Sequence, residues 1–304
     1  MKVYKEVALY AKSIGAEIIE NAPMSKYTSF KCGGDASFLI VPESLEQVEL
    51  IIKKATENNV TPLVIGNGSN LLVTDDGIDG IVIKIGSKIS KIELLDDTTI
   101  LCEAGASMKS LCMFALENSL SGLEFAYGIP GTLGGAVYMN AGAYGGEMKD
   151  VLLSCKHIDN SGNVNTFKKE ELKLNYRHSA YTENGYTILS AVLKLKKADK
   201  VEIKEAMDDK LRRRKEKQPL EYPSAGSTFK RPIGYYAGAL VEQSGLKGYT
   251  VGGAQVSEKH AGFVINKGGA TATDIITLIA DVQKKVYEDS GVHLEPEVKI
   301  IGKR

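Results

Sequence analysis

The first third of the chain alternates short apolar runs with one amphipathic stretch. Three apolar runs predict β-strands, at residues 38–41, 63–65 and 81–85. Between the first two runs, apolar residues recur at helical spacing from Leu45 to Ala55, directly after Ser44. Gln47 stands three residues after Ser44, which is the spacing of a capping box at the start of a helix. The order strand, helix, strand predicts a small βαβ unit.

The rest of the chain changes repeatedly between strand and helix periodicity. We predict a hairpin from residues 89–95 and 99–103, a helix at 107–118, and strands at 151–159, 163–167 and 187–196. In the last third, the patterns predict helices at 199–218, 236–244 and 273–290, a strand at 263–266 and a final alternating strand at 292–300. Pro219 and Gly291 are the stop signals of the first and last of these helices.

Composition narrows the class of protein before any motif is considered. The 304 residues are 43% hydrophobic and 25% charged, which is typical of globular domains. Lys plus Arg and Asp plus Glu both number 38, and this zero net charge argues against a nucleic-acid-binding protein. The first ten residues lack the apolar core of a signal peptide, and no apolar run reaches the length of a membrane span. We therefore expect a cytoplasmic protein.

Cysteine and histidine positions predict no metal site. The four cysteines, Cys32, Cys102, Cys112 and Cys155, are scattered without CxxC spacing, so we expect them to be buried and reduced. The four histidines form no HExxH pair.

Two glycine-rich segments are the strongest chemical signals in the sequence. The first, residues 66–70 (GNGSN), follows an apolar strand and combines flexible backbone with side chains that can donate hydrogen bonds to a pyrophosphate. It is not a Walker loop, and it is not a GxGxxG fingerprint because Leu71 stands in place of the third glycine. A tight turn that needs positive φ explains this first segment equally well.

The second segment runs from residue 127 to residue 146 and contains seven glycines. Glycines raise the entropic cost of folding, so a chain keeps this many where a flat or charged ligand lies against bare backbone. Hairpin turns explain one or two of them but not the whole run. Neither GxGxxG nor GxSxG occurs anywhere in the chain, which argues against a Rossmann nicotinamide domain and a common esterase. The residues alone predict a phosphate-bearing, flavin-linked site.

Five motifs make the chain resemble the UDP-N-acetylenolpyruvoylglucosamine reductase family of peptidoglycan synthesis. They are GNGSNLL at 66–72, GIPGTLGGAVYMNAGAYGG at 128–146, Tyr176-Arg177, AGSTFK at 225–230 and LEPEV at 294–298. The resemblance extends from residue 28 to residue 298. Because all five motifs occur in the same order as in the family, the resemblance is far more specific than either glycine loop alone.

The resemblance implies a fold, a reaction and cofactors. The fold would be α+β, with an FAD-binding fold of the vanillyl-alcohol-oxidase type in two subdomains, residues 1–86 and 87–198. A third domain, residues 199–304, would bind the sugar nucleotide. Non-covalent FAD would be reduced by NADPH, which leaves before the enolpyruvyl sugar nucleotide enters the same site. The product would be UDP-N-acetylmuramate, and we expect the enzyme to be a monomer.

The resemblance assigns FAD to the two glycine-rich segments. In the first segment it implies contacts from Gly66, Asn67, Gly68, Ser69, Asn70 and Leu71. In the second it implies contacts from Tyr127, Gly128, Ile129, Pro130, Gly131, Thr132, Gly134, Gly135, Ala136, Asn140, Gly142 and Ala143.

Three residues would carry the chemistry that the resemblance implies. Hydride addition to an enolpyruvyl ether builds negative charge beside its carboxylate, and a proton must then be delivered. Arg177 would clamp the carboxylate with its planar guanidinium, Ser227 would donate the proton, and Glu297 would pair with Arg177 or polarise the developing enol. Without the resemblance, the three are interpreted as a surface arginine, a turn serine and a solvated glutamate.

Five further residues are candidate contacts to the substrate: Tyr176, Lys217, Lys230, Arg231 and His260. The resemblance implies that Lys217, at the end of the charged helix, reaches the diphosphate. Some family members carry Asn where this chain has Arg231, so the resemblance leaves the contact of Arg231 open but not the activity. The interval between Arg177 and Ser227 is short, as in the subtype that lacks an extra loop closing over the substrate.

Two other functions stay open at this point. An oxidase of the same flavin fold would act on an alcohol or hydroxy acid and pass electrons to oxygen, and the motifs of the last third argue against it. A non-catalytic nucleotide-binding protein would be expected to lack one of the three candidate catalytic residues. All three are present.

Overall fold

The computed structural model describes residues 2–303, which form two compact units with interleaved segments. The first unit contains the chain up to Glu20, together with Phe38–Asn67 and Gly80–Arg213. The second contains Asn21–Ser37, Gly68–Asp79 and the chain from Arg214 onward. The predicted domain boundaries after residues 86 and 198 stay predictions.

Eight α-helices lie within the described residues. They are α1 (Lys2–Ser13), α2 (Leu45–Glu57), α3 (Met108–Glu117), α4 (Leu133–Tyr138), α5 (Ala180–Asn184), α6 (Lys200–Lys217), α7 (Ala237–Gln243) and α8 (Ala272–Ser290). The sequence patterns predicted α2, α3, α6, α7 and α8 to within two residues at each end. Helices α1, α4 and α5 were not predicted, and α4 lies inside the glycine-rich run, where helix propensity is low.

The strands that the structure describes are short, with two to eight residues each. They are β1 (Glu17–Pro23), β2 (Asp35–Val41), β3 (Leu63–Ile65), β4 (Leu71–Val73), β5 (Ile78–Lys84), β6 (Ile92–Leu94), β7 (Thr99–Glu103), β8 (Leu120–Ser121), β9 (Gly142–Ala143), β10 (Gly146–Glu147), β11 (Leu152–Ile158), β12 (Val164–Lys168), β13 (Thr187–Lys194), β14 (Lys196–Lys197), β15 (Thr250–Val251), β16 (Ala254–Val256), β17 (Val264–Asn266) and β18 (Lys299–Ile301).

The strand order corrects the predicted βαβ unit. Strands β2 and β3 and the helix between them exist as predicted, but β5 lies between the two strands, in the order β1-β2-β5-β3. Strand β3 pairs in parallel with β5, with Leu63 opposite Val82. Periodicity identified the strands and could not identify their neighbours, because pairing is decided by contacts distant in sequence.

A five-stranded antiparallel sheet forms the centre of the first unit, in the order β12-β11-β13-β7-β6. The predicted hairpins β6–β7 and β11–β12 are confirmed. Strand β13 is almost entirely buried, and α4 packs against it. The core of this unit includes Ile100, Leu111, Leu133 and Leu189, each with no exposed surface. This packing explains why the glycine-rich run contains a helix: Leu133, Ala136 and Val137 give it a buried face.

The second unit is built on α8. The side chain of Thr271 accepts a hydrogen bond from the N–H of Asp274, and the Asp75 carboxylate accepts two from the N–H groups of Ala272 and Thr273, so the helix start is fully capped. Strands β15, β16 and β17 form one antiparallel sheet, and β18 pairs in parallel with β4.

The predicted final strand at 292–300 is wrong over most of its length. Only Lys299–Ile301 forms a regular strand. Pro296 has no N–H to give to a ladder, and it makes an isolated bridge opposite Phe229 instead. The alternating pattern there reflects one buried side and one exposed side of an extended segment.

Candidate functional site

The two glycine-rich segments, far apart in sequence, meet in the first unit. The side-chain amide of Asn67 donates to the carbonyl oxygen of Pro130 over 3.2 Å. A Cβ on Gly66 would lie 2.2 Å from the Oγ1 of Thr132, so only glycine allows this approach. The structure therefore brings together two loops that the sequence predicted separately as parts of one cofactor site.

Helix α4 anchors the second loop to the sheet. Thr132 caps this helix, and the N–H groups of Leu133 and Gly134 donate to the carbonyls of Ala106 and Ala104 over 2.8 and 2.9 Å. A Cβ on Gly134 would lie 3.1 Å from the Cβ of Ala104. Close packing against Ala104, and not only ligand contact, therefore favours glycine at position 134.

The first loop offers a row of backbone donors. The N–H groups of residues 67–70 make no hydrogen bond to any residue that the structure describes. Gly68 has a φ of 61°, and a Cβ there would lie 2.1 Å from the carbonyl oxygen of Tyr27. Consecutive N–H groups in such a turn form a concave anion site. The loop therefore fits the pyrophosphate of FAD, with Ser69 and Asn70 adding side-chain donors.

In the second unit, the end of the same loop lies against the segment of Glu297. The Asn70 side chain donates to the carbonyl oxygen of Glu297 over 3.2 Å, and the N–H of Lys299 donates to the Asn70 carbonyl over 3.0 Å. The N–H of Glu297 donates to the carbonyl of Thr228 over 2.8 Å. Because Thr228 follows Ser227, the structure brings together Asn70, Ser227 and Glu297.

The buried neighbours of Ser227 hold it outward. Thr228 has no exposed surface, its N–H donates to the Gly262 carbonyl, and its Oγ1 accepts from the N–H of Val264 over 2.9 Å. Ser227 itself is exposed. Gly226 precedes it with a φ of 77° and provides the turn. An anchored backbone thus presents the exposed side chain of Ser227.

Arg177 lies in the first unit, on a tight two-residue turn. The backbones of Asn175 and His178 exchange two hydrogen bonds of 3.1 Å across this turn. Arg177 has a φ of 53°, the left-handed region where such turns normally carry glycine. Its guanidinium contacts the ring of Tyr176, 5.0 Å from the centroid, and donates to the Gly142 carbonyl over 3.4 Å. A strained residue that is not glycine is a candidate for function.

Two other predicted contacts of the cofactor have protein partners. Asn140 has no exposed surface, and both its amide hydrogens donate to protein oxygens. A Cβ on Gly142 would lie 2.8 Å from the carbonyl oxygen of Gly146. Tyr127 and Ile129 are half-buried against the core of the first unit.

The positively charged side chains of the second unit that are candidate substrate contacts differ in their contacts with the protein. Lys217 is exposed at the last residue of α6. Lys230 forms an ion pair with Glu295, and the backbones of the two residues are also hydrogen-bonded. Arg231 stacks over the ring of Tyr236, 4.0 Å from the centroid.

His260 is held neutral by its surroundings. Burial lowers the pKa of its imidazole. Its Nδ1 accepts a hydrogen bond from the N–H of Gly262 over 3.1 Å. The ring proton therefore belongs on Nε2, which makes His260 a donor and not a cation at neutral pH.

No group of three or more His, Cys, Asp or Glu side chains within residues 2–303 could hold a metal ion. All four cysteines are buried with free thiols, and burial raises the pKa of Cys32, Cys112 and Cys155 to about 12. Among the described helices, none is long and apolar enough to cross a membrane.

Comparison with known proteins identifies two family models in the chain. An FAD binding domain matches residues 36–168, and the C-terminal domain of UDP-N-acetylenolpyruvoylglucosamine reductase matches residues 218–301. The reductase of Syntrophomonas wolfei is 50% identical over 282 residues, covering 93% of this chain and 94% of the relative. That of Clostridium perfringens is 51% identical over 287 residues, covering 94% of each.

Solved structures confirm the α+β fold with an FAD-binding fold of the vanillyl-alcohol-oxidase type. The crystal structure of UDP-N-acetylenolpyruvylglucosamine reductase from Thermus caldophilus superposes with a TM-score of 0.80 at 36% identity, covering 94% of this chain and 98% of that one. Alkyldihydroxyacetonephosphate synthase is similar in fold alone, with a TM-score of 0.50 at 17% identity over 64% of this chain and 40% of that one.

Proposed function

The chain belongs to the UDP-N-acetylenolpyruvoylglucosamine reductase family, and we propose a role for each residue of its site on that premise. It is an FAD-dependent oxidoreductase of peptidoglycan precursor synthesis. It reduces UDP-N-acetylglucosamine enolpyruvate to UDP-N-acetylmuramate, with NADPH as the hydride donor. The observation that carries this conclusion is 50% identity over 93% of the chain, with Arg177, Ser227 and Glu297 all present in its motifs.

FAD would be held by the two glycine-rich loops. The free N–H groups of residues 67–70 would donate to its pyrophosphate, and the backbone of residues 128–135 would line the same cofactor. FAD bound by these loops would supply the hydride-transfer chemistry that connects NADPH with the substrate.

Arg177 would bind the carboxylate of the enolpyruvyl group. Its fixed fork of donors suits a bidentate contact with a carboxylate, and its charge favours the enolate that forms when hydride adds to the neighbouring carbon. Because the turn of residues 175–178 fixes the backbone of Arg177, and its guanidinium contacts Gly142 and Tyr176, little reorganisation is needed as the charge develops.

Ser227 would deliver the proton to the enolate carbon. A serine hydroxyl is a weak acid, so its proton leaves only if neighbouring groups stabilise the alkoxide. Lys230 lies on the same segment, and Glu297 lies on the segment hydrogen-bonded to it. Glu297 would orient the substrate enol or the guanidinium of Arg177.

The remaining candidates would hold the sugar nucleotide. Lys217 and Arg231 would contact the diphosphate, Lys230 would leave its exposed partner Glu295 for the substrate, and His260 would donate from Nε2. Tyr176 is exposed beside Arg177 and would cover the substrate. We also propose a cytoplasmic monomer, since NADPH and nucleotide-linked sugars are cytoplasmic pools. Light scattering of the purified protein tests the monomer.

An anaerobic absorption experiment tests the function. The purified protein with FAD should bleach on addition of NADPH and recover its yellow colour when UDP-N-acetylglucosamine enolpyruvate is added. Bleaching without recovery would refute the proposed acceptor. A protein that cannot take up FAD at all would refute the assignment of the glycine loops.

A further inference from the structure

Asn140 is fully buried in the first unit, and both amide hydrogens of its side chain are donated to protein oxygens, so neither is left for a ligand. Its Nδ2 group donates to the Oε2 of Glu147 over 2.7 Å and to the carbonyl oxygen of Asn175 over 2.9 Å. Its Oδ1 accepts from the N–H of Lys149 over 2.9 Å. The resemblance assigned Asn140 to the cofactor, but these bonds show that its amide holds protein segments together.

The segment that Asn140 holds is the one that carries Arg177. Asn175 opens the tight turn, and two more bonds join the same pair of segments. The hydroxyl of Ser179 donates to the carbonyl of Tyr138 over 2.7 Å, and the guanidinium of Arg177 donates to the carbonyl of Gly142. Three hydrogen bonds therefore connect residues 138–142 with residues 175–179, and along the first segment the bond of Asn140 lies between the other two.

Backbone strain is concentrated in the same place. Eight described residues other than glycine have a positive φ, and four of them are Asn140, Tyr144, Lys173 and Arg177. Such conformations persist only where the surrounding structure determines them strongly. A buried, fully hydrogen-bonded amide is a group of that kind, because leaving any of its partners unpaired in the interior is costly.

We propose that Asn140 is a positioning residue for Arg177. Its amide fixes the turn of residues 175–178 to the end of α4, whose start carries Thr132 in contact with Gly66. One short helix thus links the cofactor loops of the first unit to the carboxylate clamp. The inference rests on the proposed function, in which Arg177 binds the substrate carboxylate.

Half-reaction kinetics of the Asn140→Ala variant test the proposal. We expect reduction of bound FAD by NADPH at the wild-type rate. We expect reoxidation by the enolpyruvyl sugar nucleotide to slow about 10- to 100-fold, since small displacements of a positioned group cost about that much. In an Arg177→Ala background the same substitution should cause no further loss, because the group through which Asn140 acts is gone.

A further loss in the Arg177→Ala background, or an equal loss of both half-reactions, would overturn the proposal. Lys149→Met is the matched control. It removes the 2.8 Å ion pair between Lys149 and Glu147 from the same loop but keeps the bonds of Asn140 to Asn175 and to the Lys149 backbone. It should reoxidise at the wild-type rate, and a loss as large as that of Asn140→Ala would mean that any disturbance of this loop suffices.

Asn140→Asp provides a second test if the alanine variant does not fold. Its carboxylate can still accept from the Lys149 N–H, but only its protonated form has a donor, and that single hydroxyl is shared between Asn175 and the facing carboxylate of Glu147. We expect reoxidation to recover toward the wild-type rate as the pH falls, at constant bound FAD. A slow rate of reoxidation that does not change with pH would overturn the inference. Failure of the wild type itself to reoxidise would instead refute the proposed function.

Discussion

Arg177 and Ser227 are held in different ways by the two units. At Ser227 the unusual backbone conformation belongs to its neighbour Gly226, with a φ of 77° and no atom within 4 Å of where a Cβ would stand. At Arg177 the unusual conformation, with a φ of 53°, belongs to the functional residue itself. The first arrangement separates the turn from the chemistry, and the second combines them in one residue.

This difference explains how each residue is supported. Ser227 needs only an anchor beside it, which buried Thr228 provides through two backbone contacts. Arg177 needs long-range bonds to Gly142 and, through its turn, to Asn140, because its own backbone resists the conformation. A glycine beside the functional residue signals the turn in the sequence, whereas nothing local in the sequence signals the positive φ of Arg177.

The largest expected effect is the loss of proton donation when Ser227 is replaced. Ser227→Ala should slow reoxidation of the flavin by about 10²- to 10⁴-fold, the usual contribution of a positioned acid. Reduction by NADPH should be unchanged, and the free energy of unfolding should change by less than about 0.5 kcal/mol because the side chain is exposed. Stopped-flow absorbance separates the two half-reactions.

Ser224→Ala is the control for this prediction, since it removes a hydroxyl from the same segment. It should leave both half-reactions unchanged. Equal losses of reduction and reoxidation in Ser227→Ala would contradict the role of proton donor.

A smaller effect is expected where the two glycine loops meet. Gly66→Ala should weaken FAD binding about tenfold, because its Cβ would displace Thr132, the cap of α4. Gly86→Ala is the control, since Gly86 is not a predicted cofactor contact and its Cβ would meet only the flexible end of Lys84, 3.1 Å away. Fluorescence titration with FAD measures both. Equal affinities would show that the loop contact does not shape the cofactor site.

The backbone strain at Arg177 can be measured by introducing glycine in its turn and by removing glycine from the turn before Ser227. Arg177→Gly and Arg177→Ala remove the same side chain, so their difference reports the backbone. The glycine variant should be more stable by about 1 kcal/mol. Gly226→Ala should be less stable than the wild type by about 1 kcal/mol, since its Cβ meets open space and only the backbone resists. Urea unfolding at constant m-value gives these energies. If the two Arg177 variants are equally stable, the turn is not strained.

The smallest expected effect concerns a buried histidine of the first unit. His157 has 1% exposed surface, and burial lowers the pKa of its imidazole. Below the ordinary histidine pKa of about 6.5, the unfolded chain therefore binds more protons than the folded one, and stability falls as pH falls. Above that pH the contribution is fully present.

Melting temperature between pH 5 and pH 8 checks this prediction. His157→Gln should flatten the fall below about pH 6.5, since Gln keeps an acceptor for Tyr181 but does not titrate there. His260→Gln removes the histidine of the second unit whose pKa burial also lowers, and should flatten the same fall. An unchanged slope in His157→Gln would contradict the prediction.

Much of the fold could be predicted because its signals are local. Ser44 caps α2 through the N–H of Gln47, as its spacing indicated, although the Gln47 side chain accepts from Glu43 and not from Ser44. Helix α8 begins after Thr271 and ends at Gly291 with a φ of 70°. Caps, stops and periodicity lie within one or two turns of chain, so they can be read without knowing the fold.

The sequence by itself determined the main helices, the two glycine loops and the motifs that identify the family. Only the tertiary structure decided that β5 separates β2 from β3, that residues 292–298 are not a regular strand, and that Asn67 reaches Pro130. It also decided that the Asn140 amide bonds to Asn175. The physical reason is distance along the chain. Periodicity indicates which face of a helix or strand is buried, whereas hydrogen-bond partners tens of residues apart are decided by tertiary packing.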